Sequence, residues 1–342
     1  MDLEKRMESY RQILENEMQD IVSKDGQLYD WMRYHLGWVD RFGSPSSGSP
    51  GKQIRACAML LTAEVCGASH EVLLRFAPLA ASIELIHNFS LLHDDVEDES
   101  ETRRGRATLW TFAGLAQAIN TGDGMFAIAR TAQYRLVENG FSPGVVLESM
   151  KILDETCLRL VEGQQMDIDF EDRVDVTESE YIEMALGKTA AMFAAPLSCG
   201  ALLAGAPKNV VSAFHQAGLA LGLGFQMIDD VLGVWGDTEQ TGKPVGDDLR
   251  TLKMTYPIIY GRDHDSKSGS EFAEQYVTPP RTEADVRVLT QLLTDMGARE
   301  FTEQRADDEI NNARRILSAI PLETNYQQSL QEFSDLLVGR VS

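Results

Sequence analysis

Apolar residues recur at three- and four-residue intervals along most of the chain, the spacing of helices with one buried face, while alternating strand-like runs closed by hairpin turns are scarce. Residues 1–23 read as an amphipathic surface helix. The flexible loop Ser44–Pro50 (SPSSGSP) precedes a helix from about Gly51 to Cys66. The spacing predicts a long helix over Glu71–Asp95, whose middle, LAASIELIHNFSLLH, is apolar nearly all round and so belongs in the interior. After the charged turn EDESETRRGRA, helices are expected over Leu109–Asn120, Gly122–Glu138, Val145–Asp167, Glu178–Leu186, Lys188–Ala204 and Lys208–Val234. The polar stretch Gly261–Arg281, with its Ser, Gly and Pro, reads as a loop or insertion. With no internal repeat and no interdomain linker, residues 1–342 are expected to form one domain, an all-α helical bundle.

Charge narrows the function. The 31 Lys+Arg against 53 Asp+Glu give a formal charge of −22, which argues against a nucleic-acid or anionic-membrane surface. A phosphate-bearing ligand must then be met by a local group of cations or metals. The four cysteines, Cys57, Cys66, Cys157 and Cys199, show no metal-ligand spacing and read as buried free thiols in a reducing compartment. The N-terminal MDLEKRMESYRQILENEM lacks a signal-peptide core. No uninterrupted apolar run approaches about 18 residues, so a cytoplasmic protein without a membrane span is expected.

Two acidic clusters end apolar helices. Asp94 and Asp98, in Asp94-Asp95-Val96-Glu97-Asp98, are four apart, so a helix sets both carboxylates on one face. Their repulsion is relieved by a hard divalent cation such as Mg²⁺, which takes a few carboxylate oxygens and leaves positions for substrate phosphates. Asp229-Asp230 closes GLALGLGFQMI in the same way, and two carboxylate walls facing each other would hold several Mg²⁺ ions around one diphosphate. Cations gather near both clusters. Lys52 and Arg55 open a helix, where the helix dipole also favours anions. Arg103 and Arg104 follow the first cluster; Lys188-Thr189 interrupts an apolar region; Lys243 and Lys253 follow the second cluster in TGKPVGDDLRTLKMTYP. His87 lies two turns before Asp94 on the same helix face.

These motifs resemble, in order from about Gly51 to Pro257, those of the trans-isoprenyl diphosphate synthases, the family of farnesyl and geranylgeranyl diphosphate synthases. GKQIR resembles the isopentenyl motif, DDVED the first aspartate-rich motif, RRG its follower, FQMIDD the second motif, with GK and K-x-T after it. The resemblance implies a bundle of the isoprenoid synthase type with a central active-site cavity. It further implies that Lys52, Arg55, His87 and Arg104 bind isopentenyl diphosphate, and that Asp94, Asp98 and Asp229 hold Mg²⁺ with Asp95 and Asp230 supporting. Three Mg²⁺ ions are expected with substrate bound. Arg103, Lys188, Thr189, Gln226, Lys243 and Lys253 would hold the allylic diphosphate, and Gln164 and Asp167 would line the same cavity. Two positions depart from the pattern: Gly233 stands where the second motif usually ends in Asp, and Pro50-Gly51 replaces Gly-Gly while Ala56 replaces Pro.

The chemistry implied is ionisation of an allylic diphosphate, condensation with isopentenyl diphosphate, and loss of a proton. Farnesyl diphosphate synthase, a class I terpene cyclase on the same fold, and a silent subunit of a heteromeric synthase are the alternatives. Helix geometry sets a depth scale for the product: Phe89 lies about 7.5 Å and Ile86 about 12 Å down the axis from Asp94, with small Ser90 between Phe89 and the metals. An aromatic five positions before the first motif, without an insertion in that motif, resembles the C20-forming members. The small-residue stretch Leu115–Ala129, with the family resemblance, suggests a homodimer.

Overall fold

The structure is a computed structural model and describes residues 2–46, 48, 51–237 and 244–338. The apolar spacing closes into helices nearly throughout. α1 (Leu3–Ile21) is N-capped by Asp2, whose carboxylate accepts the Lys5 N–H at 3.0 Å. Its Leu3, Met7, Tyr10, Leu14 and Met18 form one buried face against α3 (Ile54–Val65) and α4 (His70–Glu97), so the expected surface helix is amphipathic and half interior. Buried Arg6 and Tyr10 both bind Glu64 of α3, fastening the N-terminus. A helix not foreseen, α2 (Gln27–His35), lies between them in the chain.

The chain folds as two compact units, each of two segments: Met1–Glu155 with Pro196–Val211, and Thr156–Ala195 with Ser212–Ser342. In the first unit α4 is the central element, in contact with α1, α3 and α6 (Leu115–Ala132). The only strands among the described residues, β1 (Thr102–Arg103) and β2 (Arg106–Ala107), pair antiparallel. Arg104 (φ 53°) and Gly105 (φ 71°) form their turn, and two left-handed central residues match the right-handed twist of a two-residue hairpin. α5 (Leu109–Ala113) ends at Gly114 (φ 89°), followed by α6 and α7 (Arg135–Glu138). The break expected near residue 121 is therefore at Gly114. Gly122 stays helical because the His93 ring needs its surface: a Cβ there would sit 2.3 Å from His93 Nε2.

α8 (Pro143–Glu171), α10 (Ala191–Leu203) and α11 (Lys208–Trp235) each pass from one unit's residues to the other's. α9 (Glu178–Ala185) starts with a reciprocal Thr177–Glu180 capping box and continues into α10 through a single π turn, Leu186–Ala190. The two helices expected over 178–204 are thus one helical run with a bulge. Two glycines allow α8 to touch that bulge: a Cβ on Gly163 would lie 2.3 Å from the Lys188 amide nitrogen, and one on Gly187 would lie 2.6 Å from the Arg159 carbonyl.

The rest of the second unit adds α12 (Asp247–Arg250), α13 (Tyr256–Asp263), α14 (Lys267–Gln275), α15 (Glu283–Asp295), α16 (Ala298–Ser318) and α17 (Thr324–Val338). Its core gathers Tyr181, Met227, Val234, Leu249, Ile258, Phe272 and Leu293. The stretch Gly261–Arg281 is not simply a loop. It holds α14, whose Phe272 is fully buried, and its polar residues are that helix's outer face. Three helical runs, His70–Glu97, Glu178–Leu203 and Lys208–Trp235, are long and apolar enough to cross a membrane, but 78%, 83% and 72% of their apolar windows are buried inside the protein. All four cysteines are free; Cys57, Cys157 and Cys199 are buried and Cys66 is partly so.

Candidate active site

The first unit carries an acidic array at the C-terminal end of α4. Helix carbonyls already make that end negative, so Asp94, Asp95 and Asp98 add charge where it is least welcome without a cation. The hairpin supplies one. Arg103 Nε donates to Asp95 Oδ1 at 2.5 Å and Nη2 to Asp94 Oδ2 at 2.8 Å. Asp95 is 2% exposed, and burial lifts its pKa to about 6 despite Arg103. Arg103, expected on the allylic diphosphate, is thus seated on two aspartates of the first motif.

The expected isopentenyl residues converge in the same unit. Arg55 Nη1 lies 3.3 Å from His87 Nε2. Burial, then Arg55 and Arg104, hold the His87 pKa well below its ordinary value, so the ring is neutral and accepts from the guanidinium. Arg104 occupies the left-handed corner of the hairpin and leans over Gly51, where a Cβ would lie 2.7 Å from its Nη2. Gly51 is also at φ 85°, so the glycine kept from the usual pair is the one the fold requires. Lys52 is exposed at the approach to α3, and Pro50 lies outside the described residues. Behind Arg104 is Glu84, 2% exposed, whose pKa burial raises against the pull of Arg55 and Arg104.

The second unit carries the other array. Asp230 is 3% exposed and saturated with donors: Tyr181 Oη at 2.6 Å, the Tyr256 N–H at 2.9 Å and Gln226 Nε2 at 2.8 Å. Burial nevertheless raises its pKa to about 6. Thr189 Oγ1 donates to Gln226 Oε1 at 2.5 Å, completing a Thr189–Gln226–Asp230 chain from the π turn to α11. Asp230 is therefore a buried anchor, and Asp229 is the more accessible carboxylate of the pair. Lys188, set in the π turn, bonds Asp167 Oδ2 at 2.5 Å; Lys253 reaches Asp167 at 3.6 Å and Glu171 at 2.5 Å. Burial would raise the Asp167 pKa, but the two lysines outweigh it and hold it low. Gln164 is half-buried on α8, and Lys243 lies outside the described residues.

Gly233 has a structural explanation that the sequence did not offer. A Cβ built there would lie 1.9 Å from Asp248 Oδ2 and 2.4 Å from its Cγ. The space beside the second motif's usual last aspartate is filled by a carboxylate from α12. That turn is well anchored: Leu249 is fully buried, and the Tyr276 hydroxyl donates to the Asp248 carbonyl at 3.2 Å and the Lys253 carbonyl at 3.0 Å. Among the described residues no three His, Cys, Asp or Glu side chains converge as a ready metal cage. The oxygen-only donors, with Asp95 Oδ2 buried and without a hydrogen-bond partner among the described residues, suit a hard cation that keeps positions for phosphate oxygens and water.

Of the expected product-length residues, Ile86 is fully buried, and Phe89 is 8% exposed with its ring 5.0 Å from that of Phe126 on α6. Ser90 is half-buried and donates to the His87 carbonyl at 2.8 Å.

Comparison with known proteins gives a consistent answer. The polyprenyl synthetase family profile matches residues 38–296. A (2E,6E)-farnesyl diphosphate synthase of Mycobacterium tuberculosis is 37% identical over 321 residues, 92% of this chain and 87% of that protein. A geranylgeranyl diphosphate synthase of the same species is 38% identical over 289 residues, 84% and 80% of the two chains. The crystal structure of a geranylgeranyl pyrophosphate synthase from Corynebacterium glutamicum, complexed with isoprenyl diphosphate and magnesium, matches with a TM-score of 0.81 and 27% identity, covering 99% of this chain and 100% of that one.

Proposed function

The chain belongs to the polyprenyl synthetase family, as a short-chain trans-prenyltransferase, and on that premise we propose that its main product is geranylgeranyl diphosphate. The observation that carries the chain length is Phe89, a bulky ring five residues before the first motif, backed by Phe126 so that it cannot easily yield. Farnesyl diphosphate is the second reading, favoured by the M. tuberculosis farnesyl diphosphate synthase that matches 92% of the chain.

In this reading Lys52, Arg55, His87 and Arg104 bind and orient isopentenyl diphosphate. Arg55 is steadied by His87, and Glu84 tempers the buried positive charge. Lys188, Lys243, Lys253, Thr189 and Gln226 hold the allylic diphosphate, with Lys188 and Lys253 kept in place by Asp167. Asp94, Asp98 and Asp229 would hold Mg²⁺, three ions with substrate bound. Asp95, Asp230 and Arg103 support them. Bound Mg²⁺ supplies neutralisation of the charge that develops on the departing diphosphate. The fixed lysines add to that stabilisation without reorganising. Apolar helices keep water from the allylic cation while the isopentenyl double bond attacks it. The proton is then lost to the released diphosphate, since no side chain among the described residues stands as a dedicated base.

Further parts of the proposal are that the two units form one domain, that the protein is cytoplasmic, and that it is a homodimer. The support for dimerisation is an apolar stripe on α8, Leu147, Leu158, Val161 and Ile168, all exposed at helical spacing, together with exposed Phe112, Leu115 and Ile119 on α5 and α6. Sedimentation should show twice the monomer mass for the wild type and the monomer for Leu115→Glu/Leu158→Glu; a monomeric wild type would remove this part. The function itself is tested by supplying Mg²⁺, isopentenyl diphosphate and each allylic primer, then identifying products by mass spectrometry. C20 diphosphate from every primer is expected. Accumulation of C15 alone would move the assignment to the farnesyl product, and a cyclised hydrocarbon would overturn the synthase reading.

A further inference from the structure

Lys188 and Thr189 are neighbours in the π turn, yet they serve different helices. Lys188 Nζ bonds Asp167 Oδ2 on α8 at 2.5 Å, and Thr189 Oγ1 donates to Gln226 Oε1 on α11 at 2.5 Å. Eight residues before Thr189, Tyr181 also meets α11, its hydroxyl donating to Asp230 Oδ2 at 2.6 Å. Gln226 and Asp230 are four apart and share one face of α11. Gly218 and Gly222 continue that face, and a Cβ on them would lie 2.4 Å from the Cα of Ala194 and of Ala190 respectively. Tyr181, Thr189, Ala190 and Ala194 are thus presented together to α11.

A regular helix would present a different set. At about 100° per residue, eight residues carry Thr189 about 80° past Tyr181, while seven bring Lys188 to within about 20° of it. The lysine would then face α11 and the threonine would point aside. A π turn closes its hydrogen bonds over five residues instead of four and so takes up one residue more. That extra residue returns Thr189 to the Tyr181 face and turns Lys188 toward α8. The wider turn needs room, and α8 supplies it at Gly163, four residues before Asp167 on the same face. A Cβ there would lie 2.3 Å from the Lys188 nitrogen, 2.8 Å from the Met184 carbonyl oxygen and 2.9 Å from the Gly187 carbonyl carbon. All three are backbone atoms, which cannot swing aside. Glycine weakens a helix interior, and Gly163 has no positive φ to require it, so this contact is what calls for it.

We propose that Gly163 is a positioning residue for the allylic site: by admitting the π turn, it lets Lys188 reach Asp167 while Thr189 stays on Gln226. The inference rests on the reading of Lys188 as a ligand of the allylic diphosphate. It adds a residue that touches no substrate.

In Gly163→Ala the methyl must push the turn off α8. The kcat should fall on the order of 10²-fold, the effect of about 1 Å of misplacement, and the KM for the allylic primer should rise while that for isopentenyl diphosphate stays near wild type. Calorimetry with Mg²⁺ and inorganic diphosphate should show weaker binding without relying on turnover. If Gly163 acts through Lys188, the double variant Gly163→Ala/Lys188→Ala should be no worse than Lys188→Ala alone. Gly187→Ala, whose Cβ would lie 2.6 Å from the Arg159 carbonyl oxygen, presses the same contact from the other side and gives the same reading if Gly163→Ala does not fold. Gly200→Ala controls for packing alone: its Cβ would lie 2.3 Å from the Met59 carbonyl oxygen in the first unit, so the melting temperature should fall with both KM values unchanged. Wild-type kinetics in the two π-turn variants, equal rises in both KM values, additive losses in the double variant, or an intact Lys188–Asp167 pair in a crystal structure of Gly163→Ala would each overturn the proposal. Wild-type kinetics in Lys188→Ala would instead bring down the reading of Lys188 as a diphosphate ligand, while that crystal structure would still decide what Gly163 holds in place.

Discussion

The two aspartate pairs look alike in the sequence, yet their members do different work. Asp94 is accessible and Asp230 is locked under three donors, so the same chemical change should have opposite effects at the two positions. Asp94→Asn should abolish condensation at saturating Mg²⁺ and leave the unfolding midpoint near wild type. Asp230→Asn turns an amide N–H₂ toward groups that already donate, and should lower stability by about 1–3 kcal/mol in denaturant titrations. If both variants lost activity with no change in stability, the anchor role of Asp230 would be wrong. Gly233 gives a less intuitive case. Restoring the usual motif with Gly233→Asp would drive a side chain into the Asp248 carboxylate, so activity should fall and stability should drop by about 1–3 kcal/mol, the range for overpacking. Adding Asp248→Gly to that variant should recover part of both. An active, stable Gly233→Asp single variant would show that Asp248 does not fill the position. The carboxylates and cations were legible in the sequence because spacing on a helix fixes which of them share a face. Asp248 was not, since it meets Gly233 across a distance in sequence that no periodicity reports.

At the level of elements, long helices announced themselves through burial on one or all sides, and those around both acidic clusters lie close to where the apolar pattern put them. Elsewhere local geometry outweighs periodicity. The π turn is invisible because Leu186–Ala190 keeps a helical pattern while its hydrogen bonds slip by one residue, and α14 was hidden because only one face of a short polar helix is apolar. The apolar pattern does not distinguish Gly114, which breaks the helix, from Gly122, which serves packing instead. The length of α4 also carries the product prediction. Phe89→Ala should let chains extend past C20 to C25 or longer, and Ser90→Phe should shorten them, as read by mass spectrometry of the diphosphates. Because Phe89 leans on Phe126, the double variant Phe89→Ala/Phe126→Ala should lengthen products further. Unchanged products in all three would place the floor on another helix.

Across the whole molecule, buried titratable groups of opposite sign oppose one another. His35 binds a proton near pH 6.5 when unfolded but only near pH 3 when folded, so the unfolded state holds more protons between those values and acidification removes stability. Arg103, Arg104 and Arg106 face it with Asn88, and His87 is lowered in the same direction among Arg55, Arg104 and Arg103. Asp95 and Asp230, raised to about 6, act in reverse, because their folded forms hold the extra proton between pH 6 and pH 3.8. His35→Gln should gain about 2–3 kcal/mol relative to wild type on going from pH 7 to pH 4.5 in parallel denaturant titrations. An unchanged difference between the two proteins would contradict a neutral buried His35. The free cysteines have a practical consequence of their own. Burial lifts the Cys66 thiol to about 11, the Cys199 thiol to about 12 and that of Cys57 higher still, while Cys157 is buried. Since the thiolate is the species that reacts, these side chains stay silent toward maleimides near neutral pH. A single cysteine introduced on an exposed surface would then take a fluorophore or spin label cleanly, with every native thiol left in place.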